Sequence, residues 1–175
     1  ADVSLYDQNG TGLSVYTNRV DTLISQDMTL ELSRINLREF RRIIPYMPDM
    51  EGWLGGEAHY IDSEGNLMLS ADFRVEDFKY EKSPLGNWEM GGVYLPGDEN
   101  QHHVDAYVRH EGKDITHLGG IYQTDAQGND NLTGDMELIH FPLHVINPFI
   151  PEKMVEFEGD VDGTLSVNGN PMRPI

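Results

Sequence analysis

The sequence predicts a mainly β protein: one elongated, curved, antiparallel sheet with an apolar inner face. Three observations favour this fold. Apolar and polar residues alternate through most of the 175 residues, which is the period of a strand that buries one face. The 18 glycines and 9 prolines are spread along the chain and separate short alternating runs. Only two segments replace the alternation with helical spacing, so the helices are expected to be minor elements.

About ten alternating runs, each of roughly five to ten residues, predict strands joined by short polar connections. In chain order, their apolar positions are Val3 and Leu5; Leu13 and Val15; Met28, Leu30 and Leu32; Leu54, Gly56, Ala58 and Tyr60; Leu67, Leu69, Ala71, Phe73 and Val75; Val104, Ala106 and Val108; Met136 and Leu138; and Val161, Leu165 and Val167. Residues 86–95 and 114–122 predict two further strands. The longest run changes phase at Glu76–Asp77 and resumes at Phe78, which predicts a β-bulge.

Helical spacing first appears in the stretch INLREFRRIIPYMP. Its apolar residues Leu37, Phe40 and Ile44 recur as on one face of a helix, together with Ile43. Asn36 is a suitable N-cap and Glu39 follows three residues later, as in a capping box. Pro45 is expected to end this helix after about two turns.

The second helical segment is FPLHVINPFIPEK. Leu143, Ile146 and Phe149 supply its apolar side, Pro142 suits a helix start, and Pro148 is expected to break the helix. Ten strands about 4.8 Å apart make a sheet on the order of 48 Å long, which two short helices cannot cover. The sheet is therefore expected to fold over on itself or to receive an apolar ligand.

A sequence pattern that contains Gly-x-x-x-Gly, which we call the glycine phrase, occurs twice. It predicts an internal repeat over about residues 36–61 and 142–168. Each copy has an apolar helical segment, an Ile-Pro pair, and then Gly-x-x-x-Gly opening a strand. The glycines are Gly52 and Gly56 in the first copy and Gly159 and Gly163 in the second. They are interpreted as bends that turn the chain into a curved strand. A plain β-turn followed by a strand is the alternative interpretation.

Composition excludes several classes of function. The chain has 12 Lys and Arg against 30 Asp and Glu, a formal net charge of -18, which opposes binding to nucleic acid and to anionic membrane surfaces. The absence of cysteine removes disulfides, thiol catalysis and cysteine-based zinc sites. No run is long enough to span a membrane. The abrupt start without a signal sequence favours a single β-rich segment, residues 1–175, excised from a longer rod.

Catalytic and metal-binding signals are weak. The 7 histidines show no ligand spacing, and His102 and His103 are adjacent, so they face opposite sides of a strand. Paired acids such as Asp160 and Asp162 are expected by chance among so many carboxylates. No nucleophile elbow or phosphate loop is present. The expectation is therefore a protein that is not an enzyme, with no metal and no cofactor.

Arg38, Arg41 and Arg42 form the one basic cluster, on the first helical segment. These arginines lie opposite the apolar stripe of that helix, and they are expected to form a solvated face with local ion pairs. A phosphate headgroup or an acidic partner is the alternative for this cluster.

Four stretches together resemble the carboxy-terminal region of the TamB family, the translocation and assembly module proteins, in the form found in Bacteroidetes-type bacteria. They are INLREFRRIIPYMPDMEGWLGGEAHY, SPLGNWEMGGVYLPGD, GGIYQ and FPLHVINPFIPEKMVEFEGDVDGTLSVNG. The resemblance implies an inner-membrane anchor outside this chain, a periplasmic rod, and an Omp85-type outer-membrane barrel as partner. It also implies a taco-like sheet, bent so that one face lines an apolar groove.

Two functions follow from that resemblance. The first is a groove for phospholipid acyl chains, through which lipid passes between the inner and outer membranes. The second is a scaffold that assists outer-membrane protein assembly by pairing its open strand edges with barrel strands. A plain spacer domain is a third interpretation.

The residues expected to line the lipid groove are Leu30, Leu32, Leu54, Ala58, Leu67, Leu69, Ala71, Phe73, Val75, Val104, Ala106, Val108, Met136, Leu138, Val161, Leu165 and Val167. The residues expected to plug it from the two helices are Leu37, Phe40, Ile44, Leu143, Ile146 and Phe149. Strands near residues 3–7 and 159–167 are expected to be the open edges.

Overall fold

The computed structural model describes residues 2–17, 26–44, 46–63, 66–97, 101–125, 128–150 and 155–170. Ten strands form one antiparallel sheet whose spatial order is the chain order. They are β1 (Val3–Tyr6), β2 (Gly12–Thr17), β3 (Gln26–Asn36), β4 (Met50–Ser63), β5 (Asn66–Tyr80), β6 (Ser83–Pro96), β7 (Gln101–His110), β8 (Lys113–Thr124), β9 (Asp130–Pro142) and β10 (Asp160–Gly169). The sheet is not closed into a barrel. The predicted mainly β class and antiparallel arrangement are confirmed.

Both helices lie at the same end of the sheet. Helix α1 (Leu37–Ile43) joins β3 to β4, and a 3₁₀ helix (Leu143–Phe149), which we call the strap, follows β9 and precedes β10. In an antiparallel meander every odd-numbered strand runs in the same direction, so β3 and β9 both finish at the same end of the sheet, with β4 to β8 between them. We call it the helix end, and the opposite end of the strands the far end.

Irregular pairing is concentrated toward the helix end. The register shifts between Leu32 and Ile35 on β3, between Val75 and Phe78 on β5, and between Val161 and Gly163 on β10. Asp77 has a φ of 52°, so the predicted bulge near Glu76–Asp77 is confirmed. Bulges bend a strand and increase its twist, which curves the sheet where the helices lie.

Helix α1 begins and packs as its sequence predicts. The Asn36 side chain accepts a hydrogen bond from the Arg38 backbone N–H at 3.0 Å, so the predicted N-cap is confirmed. Leu37 is 8% exposed. Arg38 donates to Glu51 on β4, which lowers the pKa of that carboxyl and ties the helix to the sheet. The helix ends at Ile43, and Pro45 lies outside the described residues.

The strap crosses back over strands that precede it in the chain. His144 lies 6.1 Å from His110 on β7, ring centre to ring centre, and the Phe149 ring lies 4.4 Å from the Tyr80 ring on β5. Asn147 holds the following segment in place, since its side chain donates to the Phe157 carbonyl and accepts from the Phe157 N–H, both at 2.8 Å. The strap therefore bridges the helix end from β9 to β5.

Two predicted plug residues do not pack as expected. Ile44 is 50% exposed, and it follows the last residue of α1, Ile43. Phe149 is 53% exposed, although its ring lies tilted against the Tyr80 ring. Leu37 is buried, while Phe40, Leu143 and Ile146 are half-buried. Pro148 lies inside the last turn of the strap and does not break it, which corrects that prediction.

Among the described residues the buried core is small, and many apolar side chains of the sheet stay exposed. Within the described residues, the buried apolar side chains are Leu37, Leu85, Ile115 and Val145. The accessible surface is 12415 Å². A compact protein of 19.8 kDa would expose about 8,600 Å². The excess is what an open, single-layer sheet predicts, since each strand touches mainly its two neighbours.

Candidate functional site: the apolar face of the sheet

Strand register aligns apolar side chains into a continuous surface. Residues directly opposite each other in a ladder project to the same side of the sheet. One row crosses all ten strands through Val3, Val15, Leu30, Ala58, Ala71, Gly92, Ala106, Leu118, Met136 and Leu165. The next row toward the helix end passes through Leu13, Leu32, Gly56, Phe73, Met90 and Val108. We call this side the apolar face.

The residues predicted to line the groove lie on this face. Its ladder rows include Leu30, Leu32, Leu54, Ala58, Leu67, Leu69, Ala71, Phe73, Val75, Val104, Ala106, Val108, Met136, Leu138, Val161, Leu165 and Val167. Many stay substantially solvent-exposed, including Leu69 at 40% and Leu165 at 52%. Contact of these side chains with lipid remains a prediction.

Two neighbouring clefts lie on the apolar face. The larger encloses about 660 Å³ between β3 and β7, and Leu30, Leu69, Phe73 and Met90 are among its lining residues. The second encloses about 500 Å³ between β6 and β10. Both are lined by Tyr94 and Val104, so the two clefts meet there. Their size is that of ordinary small-molecule sites, but both are open to solvent.

Sequence reasoning missed several members of this face. Met90, Tyr94 and Leu118 line the clefts but were not among the predicted groove residues. The pairs Gly91–Gly92 and Gly119–Gly120 hide the alternation of β6 and β8 from inspection of apolar residues alone. Counting every second residue outward from Met90 and Leu118 would have found these positions, because the side-chain period of a strand is two.

The predicted bend glycines are not equivalent. Gly52, Gly56 and Gly159 have φ values of 134°, 143° and 86°, which favour glycine, whereas Gly163 does not have a positive φ. A Cβ at Gly56 would lie 2.2 Å from the Asp72 carbonyl oxygen. Gly52 and Gly163 lie beside register shifts. The two copies of the glycine phrase thus differ in backbone conformation at their second glycine.

The opposite side, which we call the polar face, is rich in charge pairs. Arg109 donates to Asp114 at 2.6 Å and lies 3.6 Å from Glu89. Tyr107 donates to Asp72 at 2.7 Å, which raises the pKa of the tyrosine. Glu89, Arg109 and Asp114 lie on the neighbouring strands β6, β7 and β8, where opposite charges directly across a ladder stabilise pairing. The Tyr107–Asp72 bond instead reaches from β7 past Gly91 on β6 to β5.

The basic cluster of α1 is paired with carboxylates. Arg38 contacts Glu51, Arg41 lies 3.5 Å from Asp49, and Arg42 contacts Glu39 one turn earlier. The local ion pairs expected for this cluster are therefore present.

Among the residues that the structure describes, the lysines and arginines all lie in the half of the sheet nearer the helix end. Within the described ranges, the lysines and arginines are Arg34, Arg38, Arg41, Arg42, Arg74, Lys79, Lys82, Arg109 and Lys113. All belong to α1, to turns at the helix end, or to the adjoining half of a strand. The far end of the described sheet carries carboxylates without compensating cations.

The far end of the apolar face carries an aromatic cluster that sequence analysis did not assign. His102 stacks on Tyr94 with ring centres 4.8 Å apart and lies 6.3 Å from the Tyr122 ring. His102 Nδ1 is buried without a hydrogen-bond partner among the described residues. Hydrogen bonding to Asp130 raises the pKa of Tyr122, and burial raises the pKa of Tyr94. Adjacent His102 and His103 face opposite sides, as predicted.

In the described part of the chain, no three His, Asp or Glu side chains converge in a way that would hold a metal ion. No helix there is long and apolar enough to cross a membrane. Comparisons with protein-family models, with curated proteins and with solved structures find no match to this chain.

Proposed function

We propose that this chain binds phospholipid acyl chains on its apolar face. It would act as a segment of a TamB-type periplasmic protein that carries lipid between the inner and outer membranes. In this proposal the full-length protein is anchored in the inner membrane and works with an Omp85-type outer-membrane barrel.

The observation that supports lipid binding is the unbroken apolar row across ten strands, over which the described residues place no second layer. Uncovered apolar patches of this extent are rare on monomeric soluble proteins and mark binding surfaces. Acyl chains match the surface because they need no hydrogen bonds, and burying apolar area gains about 25 cal/mol per Å².

A pair of neighbouring residues on β5 tests the proposal. Leu69 lies in the larger cleft, whereas the adjacent Met68 projects from the polar face and is similarly exposed, at 36% against 40%. Native mass spectrometry of the protein purified from bacteria is expected to show bound phospholipid. Leu69→Arg should reduce the bound fraction about tenfold or more, because a guanidinium does not tolerate apolar surroundings. Met68→Arg should leave it unchanged.

Substitutions on the apolar face of β5 also test the proposal in the full-length protein. Leu69→Arg or Phe73→Asp is expected to abolish lipid transfer and weaken the outer membrane while expression stays near that of the wild type. Absence of phospholipid from the wild-type chain, or equal loss from both arginine variants of β5, would overturn the proposal.

A second candidate function rests on the two outermost strands. β1 and β10 each pair on one side only within the described sheet, and Leu5 on β1 is 66% exposed. Open edges accept further strands. We propose strand pairing with outer-membrane barrel substrates or with the partner barrel as the alternative. Crosslinking from a photoreactive residue at position 166 to a nascent barrel strand would support it, and failure to crosslink there would count against it.

A further inference from the structure

The apolar face changes character at the far end of β6, β7 and β8. His102 stacks on Tyr94 there and lies tilted against Tyr122, in contrast to the aliphatic rows nearer the middle of the strands. Aromatic faces attract cations through their quadrupole, and groups of them are a recognised binding arrangement for ammonium ligands. This rim is therefore suited to a cationic group rather than to more acyl chain.

The aromatic rim is continuous with the apolar clefts. Tyr94 and Tyr122 line the smaller cleft, whose floor includes Gly120 and Gly134. These glycines face each other across β8 and β9, and a Cβ on Gly134 would lie 2.7 Å from the Gly119 carbonyl oxygen. The floor is kept free of side chains by close backbone packing, so a ligand chain can pass from the rim into the larger cleft beyond Tyr94.

Electrostatics at the rim favour positive charge. Asp130 accepts a hydrogen bond from the Thr124 hydroxyl at 2.9 Å, and its carboxylate raises the pKa of Tyr122. On β7 the nearest described cation is Arg109, seven residues from His102, or roughly 23 Å along the strand. A net charge of -18 adds a long-range field of the same sign. An anionic headgroup would meet carboxylates here without a described lysine or arginine to neutralise it.

We infer that the ligand is a zwitterionic amphiphile whose ammonium group lies at the Tyr94–His102–Tyr122 rim and whose acyl chains run along the apolar face toward the helix end. This inference rests on the proposed function and specifies its ligand: phosphatidylethanolamine-type lipid is selected over phosphatidylglycerol-type lipid. The unpartnered His102 nitrogen provides an acceptor for an ammonium N–H once the rim side chains adjust.

A competition experiment tests the headgroup. The purified chain is equilibrated with mixed detergent micelles holding equal amounts of phosphatidylethanolamine and phosphatidylglycerol with identical acyl chains, and bound lipid is counted by native mass spectrometry. The wild type should favour phosphatidylethanolamine about tenfold. Tyr122→Leu and Asp130→Asn should reduce that preference toward equality while total lipid bound stays constant. Tyr16→Leu, on the polar face of β2 and outside the lining of both clefts, is the matched control and should keep the preference.

The outcomes separate the two proposals. Equal binding of both lipids, or a preference for phosphatidylglycerol, overturns the headgroup inference and leaves lipid binding intact. Binding of neither lipid overturns both. Loss of all lipid from Tyr122→Leu, with its fold retained by circular dichroism, would assign this residue to chain contact and overturn its headgroup role.

The two tryptophans test the orientation of the chains. Trp88 projects from the apolar face near the helix end, where its ring lies 4.6 Å from that of His110. Trp53 lies on the polar face, with the Arg34 guanidinium 5.2 Å from its ring centre. Trp53→Phe leaves Trp88 as the sole reporter, and Trp88→Phe leaves only Trp53.

Phosphatidylethanolamine brominated near the chain terminus should quench Trp88 more than the same lipid brominated near the headgroup. Trp53 should respond to neither. Stronger quenching of Trp88 by headgroup-proximal bromine would place the headgroup at the helix end and overturn the orientation.

Discussion

The close packing of Gly134 against Gly119 leaves no room for a Cβ at position 134. A Cβ on Gly134 would lie 2.7 Å from the Gly119 carbonyl oxygen and 3.0 Å from the Gly120 Cα. A Cβ on Gly119, which projects from the polar face, would meet nothing within 4 Å. The apolar face is thus crowded at Gly134, whereas the polar face is open at Gly119. This difference is expected of a sheet that bends toward its apolar face at β8 and β9.

Gly134→Ala is therefore expected to lower the free energy of unfolding by about 1–3 kcal/mol, because backbone atoms must move apart to admit the methyl group. Gly119→Ala should stay within about 0.5 kcal/mol of the wild type. Urea unfolding followed by circular dichroism measures both. Equal free energies for the two variants would show that the crowding does not limit stability.

Asp162 ties the edge strand β10 to β9. It accepts hydrogen bonds from the His140 backbone N–H at 2.7 Å and from the His140 ring at 2.8 Å, and both bonds lower its pKa. Because the folded pKa is depressed, this stabilisation is present above the unfolded value of about 3.9. It is lost as pH falls through the folded pKa.

Asp162→Asn should consequently lower the melting temperature at pH 7, and the difference from the wild type should vanish at low pH, once the carboxyl is protonated. Asp160→Asn is the control, since Asp160 has no hydrogen-bond or ion-pair partner in the described part of the chain. A difference that is the same at pH 7 and pH 2.5 would contradict the carboxylate's role.

At the scale of elements, helix existence was predictable and helix placement was not. Local spacing and the Asn36 cap predicted α1, because a capped amphipathic turn is a local feature. The strap was predicted as a helical segment, but its return across β7 to β5 depends on contacts between His144 and His110 and between Phe149 and Tyr80. Such contacts join residues far apart in sequence, so no window of sequence contains them.

Leu37 and Ile44 provide a test of how α1 docks. Both were expected to plug the sheet, but Leu37 is buried and Ile44 is 50% exposed. Leu37→Ala should cost about 2–3 kcal/mol in unfolding free energy, as other buried leucines do. Ile44→Ala should cost less than about 1 kcal/mol. Chemical denaturation of both variants gives the comparison, and a larger loss for Ile44→Ala would refute the docking.

At the scale of the whole molecule, the sequence predicted which residues lie on the apolar face, but it did not predict the aromatic rim at the far end of that face. Strict alternation placed the predicted groove residues on one side, because register cannot slip by one residue without reversing every side chain. The rim at Tyr94, His102 and Tyr122 was not predicted. Its members come from three strands, and only the ladder reveals that Tyr94 and Tyr122 flank the histidine.

Open edges at β1 and β10 predict association of the chain with itself. In the described sheet each of these strands pairs with another strand on one side only, and Val167 on β10 is 47% exposed. Sedimentation velocity is expected to show concentration-dependent association, which Leu165→Lys should weaken because edge lysines oppose strand pairing. Met68→Lys, on the polar face of the central strand β5, is the control for added charge away from an edge. Monomeric behaviour at millimolar concentration would contradict the prediction.

The large accessible surface has a thermal consequence. Unfolding raises the heat capacity in proportion to the apolar area that becomes newly wet, and a compact chain of 175 residues would gain about 2.1–2.6 kcal/mol/K. An apolar face already in contact with water adds little to that change. The stability curve of the free chain should therefore be flatter than usual, so that cooling and warming alter its folded fraction gently. Lipid spread over the face would steepen the curve, because melting would then wet a surface that had been dry.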